Sequence, residues 1–100
     1  MTEVTPQVVH FTDDDKHNRI EIDKITADLG KREPGRTFSV SHTIEIEQVK
    51  LKLSLAPFIN PSDANYDLGE IPLPKYEDIP LDYIYELVRT DLENLFDQER

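Results

Sequence analysis

The stretch that decides the fold is TFSVSHTIEIEQVKLKLSL, residues 37–55. Its apolar residues alternate with polar ones, which is typical of a strand with one buried face. The apolar side chains occupy even positions first and odd positions afterwards: Phe38, Val40, Ile44 and Ile46, then Val49, Leu51, Leu53 and Leu55. A one-residue slip would turn such side chains to solvent, so the change of phase predicts a bulge or bend near Glu47 and Gln48. We therefore predict one long, bent strand that serves as two.

The residues before this stretch predict more strands. Residues 4–11 are apolar and β-leaning, residues 13–18 are polar and suit a turn, and apolar and charged residues alternate over 20–24. This pattern predicts a hairpin. Further on, Pro34 and Gly35 suit the centre of a type II turn, because glycine readily adopts the positive φ that this turn requires. A third strand should follow the turn.

The last third of the chain predicts a connection and then a helix. Residues 57–79 hold four of the seven prolines and show no strand or helix period. From Pro80 to residue 97, apolar residues recur at helical spacing and form one stripe of about 120°. The stripe consists of Leu81, Ile84, Tyr85, Val88, Leu92, Leu95 and Phe96. This region predicts an amphipathic helix whose apolar stripe faces the core.

Together these patterns predict an α+β fold in a single domain over residues 1–100. Its sheet region covers 1–56, a Pro-rich connection covers 57–79, and a helix covers 80–97. We expect an antiparallel sheet of three to four strands, one of them long and bulged, packed by a single C-terminal amphipathic helix.

Composition narrows the class of protein. One hundred residues with 37% hydrophobic content are enough for one core of modest size. No window approaches the roughly 20 consecutive apolar residues of a membrane span, and the first twenty residues lack the apolar core of a signal peptide. The chain has no cysteine, in keeping with a reducing compartment. A soluble, cytoplasmic protein is the expectation.

The charge is unevenly distributed and indicates the kind of partner. Residues 1–56 hold 8 Lys/Arg against 10 Asp/Glu, whereas residues 57–100 hold 3 against 11, for a formal net charge of −10. Such a field repels nucleic acid and anionic membranes, so direct binding to either is not expected. A protein partner, in particular a basic one, fits better, and a homo-oligomer is compatible with the sequence.

No catalytic or cofactor motif is present. The chain lacks a nucleophile elbow, a phosphate-binding loop and a glycine-rich dinucleotide fingerprint, so we do not expect an enzyme or a bound cofactor. His10, His17 and His42 could join the aspartates at 13–15 around a metal ion, but their spacing matches no known ligand pattern. We expect no metal site.

The polar face of the predicted helix holds the candidate partner-binding residues. Tyr83 projects near the centre of this face, and Leu87 lies about 60° outside the apolar stripe. Four acidic residues fall within about 60° of one another on the same face. The candidate set is Asp82, Tyr83, Glu86, Leu87, Glu93 and Asp97.

The favoured hypothesis is a small acidic protein-interaction module, with an accessory protein of a phage or other mobile element as the suggested origin. That origin rests on size and acidity alone. One alternative is a nucleic-acid-mimicking inhibitor of a DNA-processing enzyme, because the acidic residues along the helix approach the spacing of phosphates. Another is an oligomeric, chaperone-like client binder, which rests on analogy at the level of the fold. A small metal-dependent enzyme would need histidines that converge.

Overall fold

The computed structural model of the protein describes residues 7–56 and 66–98, with side chains up to residue 94. In chain order the elements are β1 (Val8–His10), α1 (Asp15–Arg32), β2 (Thr37–Ile44), β3 (Gln48–Ala56), β4 (Tyr66–Pro74), β5 (Asp78–Pro80) and α2 (Leu81–Gln98). Strands β2, β3 and β4 form an antiparallel sheet in that order, and β1 pairs antiparallel with β5.

The hairpin predicted for residues 4–24 is wrong, because residues 15–32 form the helix α1. The aspartate run is the start of this helix: Asp14 is its N-cap, and its carboxylate accepts a hydrogen bond from the Lys16 N–H at 3.1 Å. The buried positions recur at helical spacing and comprise Asn18, Glu21, Ile22, Ile25 and Leu29. Two of them are polar, so the apolar period of the helix is interrupted in the sequence.

The single bent strand predicted for residues 37–55 is a hairpin of two strands. The loop is Ile46 and Glu47, and the Glu45 N–H donates to the Gln48 carbonyl at 2.8 Å. Neither loop residue has a positive φ, so the turn is not one of the primed types that require glycine or asparagine. This pairing places even residues of β2 opposite odd residues of β3, and the opposed residues share a face. The change of phase in the sequence is therefore the register of a hairpin.

The connection predicted for residues 57–79 is wrong over residues 66–79, where β4 and β5 lie; residues 57–65 are outside the described part. Pro72 and Pro74 belong to β4, an edge strand, where a missing N–H on the outer side costs no ladder bond. A bulge lies where Gly69 (φ 92°) and Asp67 oppose Leu53 and Ser54, so Leu68 has no partner. The bulge lets Leu68 reach the buried face although its position is even.

Both helices contact the edge strands of the sheet, α1 mainly over β2 and α2 over β4. The predicted turn is confirmed, since the Arg36 N–H donates to the Glu33 carbonyl and Gly35 has φ 85°. The predicted C-terminal helix is confirmed as well and starts one residue after Pro80, the last residue of β5. Its described stripe residues Leu81, Ile84, Val88 and Leu92 are buried, and Tyr85 is half-buried.

The α+β class, the antiparallel sheet and the C-terminal amphipathic helix are therefore confirmed. The addition is a second helix, α1, which packs beside α2 on the buried side of the sheet. The other face of the sheet carries exposed polar residues such as Ser39, Ser41 and Lys52. Neither of the two described helices is long and apolar enough to cross a membrane.

Candidate functional site

The outer face of α2 holds the residues that the sequence singled out. Tyr83 is 54% exposed, and Glu86 lies exposed on the next turn. Leu87, one turn after Tyr83, is half-buried and packs against the core. Because residues four apart on a helix are neighbours, Tyr83 and Leu87 form one apolar patch beside the Glu86 carboxylate.

Asp82 of α2 lies at the contact between the two helices, where it meets Arg32 of α1. Its carboxylate accepts a hydrogen bond from the Arg32 guanidinium, which also binds Asp28 at 2.8 Å. The same guanidinium lies 4.9 Å from the centre of the Tyr85 ring, a cation–π distance. The hydrogen bond to Asp82 raises the pKa of Arg32 above its ordinary value. The Asp82 carboxylate is therefore paired with a cation of its own chain, which it shares with Asp28.

Tyr85 adds a second contact between the two helices. Its hydroxyl donates to Glu33 Oε2 at 2.9 Å, and this bond raises the pKa of the tyrosine. The Arg36 guanidinium lies 3.6 Å from the other oxygen of Glu33. The end of α1 is thus tied to the first turns of α2.

The remaining acidic residues of the helix face differ from one another. Glu93 forms an ion pair with Arg89 at 3.1 Å, one turn earlier. Half-burial raises the pKa of Asp91, which lies toward the core side. The side chain of Asp97 is outside the described residues. Glu86 is the acidic candidate without an ion-pair partner in the described part of the chain.

A second polar cluster lies where the loop after β1 meets the loop after β4. The Asp13 carboxylate accepts hydrogen bonds from the ammonium group of Lys75 and the hydroxyl of Tyr76. The Lys75 side chain is only 4% exposed, and Tyr76 has a left-handed backbone with φ 64°. The Tyr76 N–H donates to the Phe11 carbonyl at 2.7 Å. The cluster ties the two loops together.

This cluster predicts a specific pH dependence. The hydrogen bonds from Lys75, and then from Tyr76, lower the pKa of Asp13 below its ordinary value of 3.8. A lowered pKa in the folded state stabilises the fold above pH 3.8, and this contribution disappears as the pH falls through the lowered value. We expect Asp13→Asn to lack this part of the pH dependence in thermal melts between about pH 2 and pH 6.

The matched control for this prediction is Asp23→Asn, which neutralises an exposed aspartate on α1. Its melting profile should run parallel to that of the unmodified protein. If Asp13→Asn runs parallel as well, the hydrogen bonds of Asp13 do not contribute to stability.

The histidines make local structural contacts. The ring of His17 bonds to the His10 carbonyl through Nε2 at 2.6 Å, and His10 Nδ1 lies 3.2 Å from Asp78. His42, with its side chain 9% exposed, lies 3.1 Å from Asp15. Among the described side chains, no group of three or more histidines and carboxylates is placed to hold a metal ion.

Sequence reasoning missed the partners of the acidic residues. The pair of Arg89 and Glu93 could have been found, because its spacing of four residues is a known helical signal. Arg32 and Asp82 are fifty residues apart in the chain. The cluster of Asp13 and Lys75 forms between two loops that are brought together only by the fold. No local sequence pattern predicts contacts between residues so far apart in the chain.

No protein-family model matches the chain, and the comparisons with curated proteins and with solved structures give no significant match.

Proposed function

We propose that this protein is a small acidic protein-binding module whose partner surface is the outer face of α2. The observation that carries the proposal is the exposure of Tyr83, 54% of whose surface is open to solvent beside half-buried Leu87. Tyrosine is enriched among the residues that dominate binding energy at interfaces, because its ring is large and its hydroxyl can hydrogen-bond.

The chemistry of this face indicates a partner with a basic surface. Glu86 stands beside the apolar patch, and the chain carries a formal net charge of −10. A lysine or arginine of the partner could pair with Glu86 and also lie over the Tyr83 ring. The net charge would accelerate the encounter with such a surface.

Two ion pairs favour this function over nucleic-acid mimicry. A mimic needs a row of unpaired negative charges, but Asp82 is paired with Arg32, which it shares with Asp28, and Glu93 is paired with Arg89. What remains is a mixed patch of Tyr83, Glu86 and Leu87, which suits a protein interface better than a phosphate-like row.

The exposed large apolar residues also favour a discrete patch over a chaperone-like groove. In the described part of the chain they are distributed over β1, α1, the β2–β3 loop, β4, the β4–β5 loop and α2, at Val8, Ile20, Ile46, Tyr66, Tyr76 and Tyr83. The other five lie on separate elements, which is normal for single apolar residues on protein surfaces, whereas Tyr83 lies one helical turn from half-buried Leu87. The origin from a phage or mobile element stays a prediction.

The test begins with capture of a partner from native lysate on the immobilised full chain, followed by mass spectrometry. Surface plasmon resonance against that purified partner at two salt concentrations then locates the site. Tyr83→Ala is expected to raise the dissociation rate about tenfold and to leave the salt dependence unchanged. The double variant Glu86→Lys, Glu93→Lys is expected to slow association and to flatten the salt dependence.

The matched control is the double variant Glu47→Lys, Glu70→Lys, which makes the same charge change at exposed positions of the sheet region. Its association rate and the salt dependence of that rate should stay closer to those of the unmodified protein than the values of the α2 double variant do. Unchanged association and dissociation rates for both α2 variants would show that the partner binds at another surface and would contradict the proposal.

A further inference from the structure

The two edge strands of the three-stranded sheet differ in what they offer to another strand. In β4, Pro72 and Pro74 lie opposite Lys50 and Gln48. Alternate residues of an edge strand direct their N–H groups outwards, and the prolines occupy such positions. The outer side of β4 therefore lacks two donors, and the bulge at Gly69 adds a kink. These are devices by which natural sheets block further pairing.

The other edge, β2, has none of these devices. Its sequence TFSVSHTI contains no proline, glycine, lysine, arginine, aspartate or glutamate, although charged residues make up 32% of the chain. Its eight residues pair with β3 in unbroken register. A regular, uncharged edge of this length is a template for another strand.

The hydrogen-bond phase shows which groups of β2 point outwards. The Glu45 N–H donates to the Gln48 carbonyl, so the pairs that exchange bonds with β3 fall on the odd residues of β2. The even residues direct their N–H and C=O groups to the outer edge: Phe38, Val40, His42 and Ile44. In the part of the chain that the structure describes, no strand lies on that side.

We propose that β2 pairs with β2 of a second copy of this chain, antiparallel across a two-fold axis at Ser41. This register places Phe38 opposite Ile44 of the second copy and Val40 opposite His42. It uses all four outward-facing residues, and each pair exchanges two bonds, so about eight hydrogen bonds form. The two sheets become one sheet of six strands.

The uncharged edge of β2 is where a second copy of this acidic chain meets the least repulsion. Two chains of net charge −10 repel each other, and β2 is a segment where neither copy brings a charged side chain. Beside it on α1, Arg19 lies one turn from Asp15 and one turn from Asp23, along a groove between helix and strand. The Asp15 carboxylate contacts Arg19 at 2.9 Å and His42 at 3.1 Å, so this carboxylate beside the edge is already paired within its own chain.

The apolar side chains of β2 support the same occupant. Val40 and Ile44 point to the buried side of the sheet but are only half-buried, because they lie on its edge strand. Pairing with a second β2 covers them. Because α2 contacts β4, at the opposite edge, the dimer leaves both outer faces of α2 accessible. The proposed dimer and the proposed partner surface can therefore be tested independently of each other.

A cysteine at the two-fold axis tests the register. The chain has no cysteine, and Ser41 is exposed on the outer face of the sheet. In the proposed dimer the two copies of residue 41 form a close pair with Cα atoms about 4.5 Å apart, which a disulfide can span. Ser41→Cys is expected to give a covalent dimer on mild oxidation. Ser54→Cys, on the same face but in the central strand β3, is the control and should stay a monomer on a denaturing gel.

Sedimentation of the full chain between about 1 and 100 µM measures the dimer itself. We expect a species of twice the 11.6 kDa chain mass. Ser41→Glu places two carboxylates opposite each other and should raise the dimer dissociation constant about five-fold, whereas Thr90→Glu on α2 adds the same charge without this effect. A monomer throughout this range overturns the proposal, and so does a dimer in which Ser41→Cys cross-links no better than Ser54→Cys.

Discussion

Replacing Leu92 with alanine is expected to lower the free energy of unfolding by about 2 to 5 kcal/mol. The Leu92 side chain is 3% exposed and belongs to the buried stripe of α2 with Ile84 and Val88. Truncation removes apolar atoms from this core and leaves a cavity that the neighbouring side chains can fill only in part. Urea unfolding, with the slope compared between the two proteins, measures the loss.

The matched control is Ile20→Ala, which also truncates an aliphatic residue in a helix, but at a position that is 60% exposed. It should change stability by no more than about 0.5 kcal/mol. A loss below about 1 kcal/mol for Leu92→Ala would contradict the buried face of α2 described above.

Asn18→Ala is expected to cost about 2 to 4 kcal/mol, although the residue is polar. Asn18 is fully buried, its Oδ1 accepts from the Thr12 N–H at 3.0 Å, and its Nδ2 donates to the Thr12 carbonyl at 2.8 Å. Alanine would leave both backbone groups of Thr12 without these partners, and each unsatisfied buried group costs about 1 to 3 kcal/mol. Half-burial of Thr12 reduces the sum, since water can reach part of it.

Asn94→Ala separates this effect from helix propensity. Asn94 is exposed on α2, and alanine is the better helix former, so this control should be neutral or slightly stabilising. Thermal or urea unfolding of the two variants gives the comparison. Equal, small effects would mean that the paired bonds between Asn18 and Thr12 contribute little.

The contrast between α2 and α1 shows what a sequence pattern can determine. All four described stripe residues of α2 with aliphatic side chains are buried, as the helical spacing predicts, and Tyr83 points to solvent. In α1 the buried stripe contains Asn18 and Glu21, so the alternation of Ile20 and Ile22 resembled a strand. Glu21 accepts from the His10 N–H at 2.8 Å and pairs with the Lys24 ammonium group at 2.8 Å, and these two contacts allow a carboxylate at a buried helix position.

The strands show the same division. The alternation over 37–55 predicted the buried side chains of β3 and of Phe38, but Ile46, placed on the same apolar face, is 93% exposed. It lies in the loop without glycine that separates two strands where one bent strand was expected. The prolines at 72 and 74 argue against a strand in general, and they are tolerated because β3 is the one neighbour of β4 among the described strands. An edge position is a property of the sheet, so the residues of the strand do not reveal it.

The sequence by itself determined the α+β class, the C-terminal helix with its buried and exposed faces, the turn at Gly35 and the acidic character of residues 57–100. These features depend on periodicity, on φ preferences and on composition, all of which act over a few neighbouring residues. The tertiary structure alone decided the helical state of 15–32, the pairing of Arg32 with Asp82 and the place of β2 at the edge of the sheet that residues 7–56 and 66–98 form. Each of these depends on contacts between segments that are distant in the chain, and the free energy of such contacts is realised only when the fold brings the segments together.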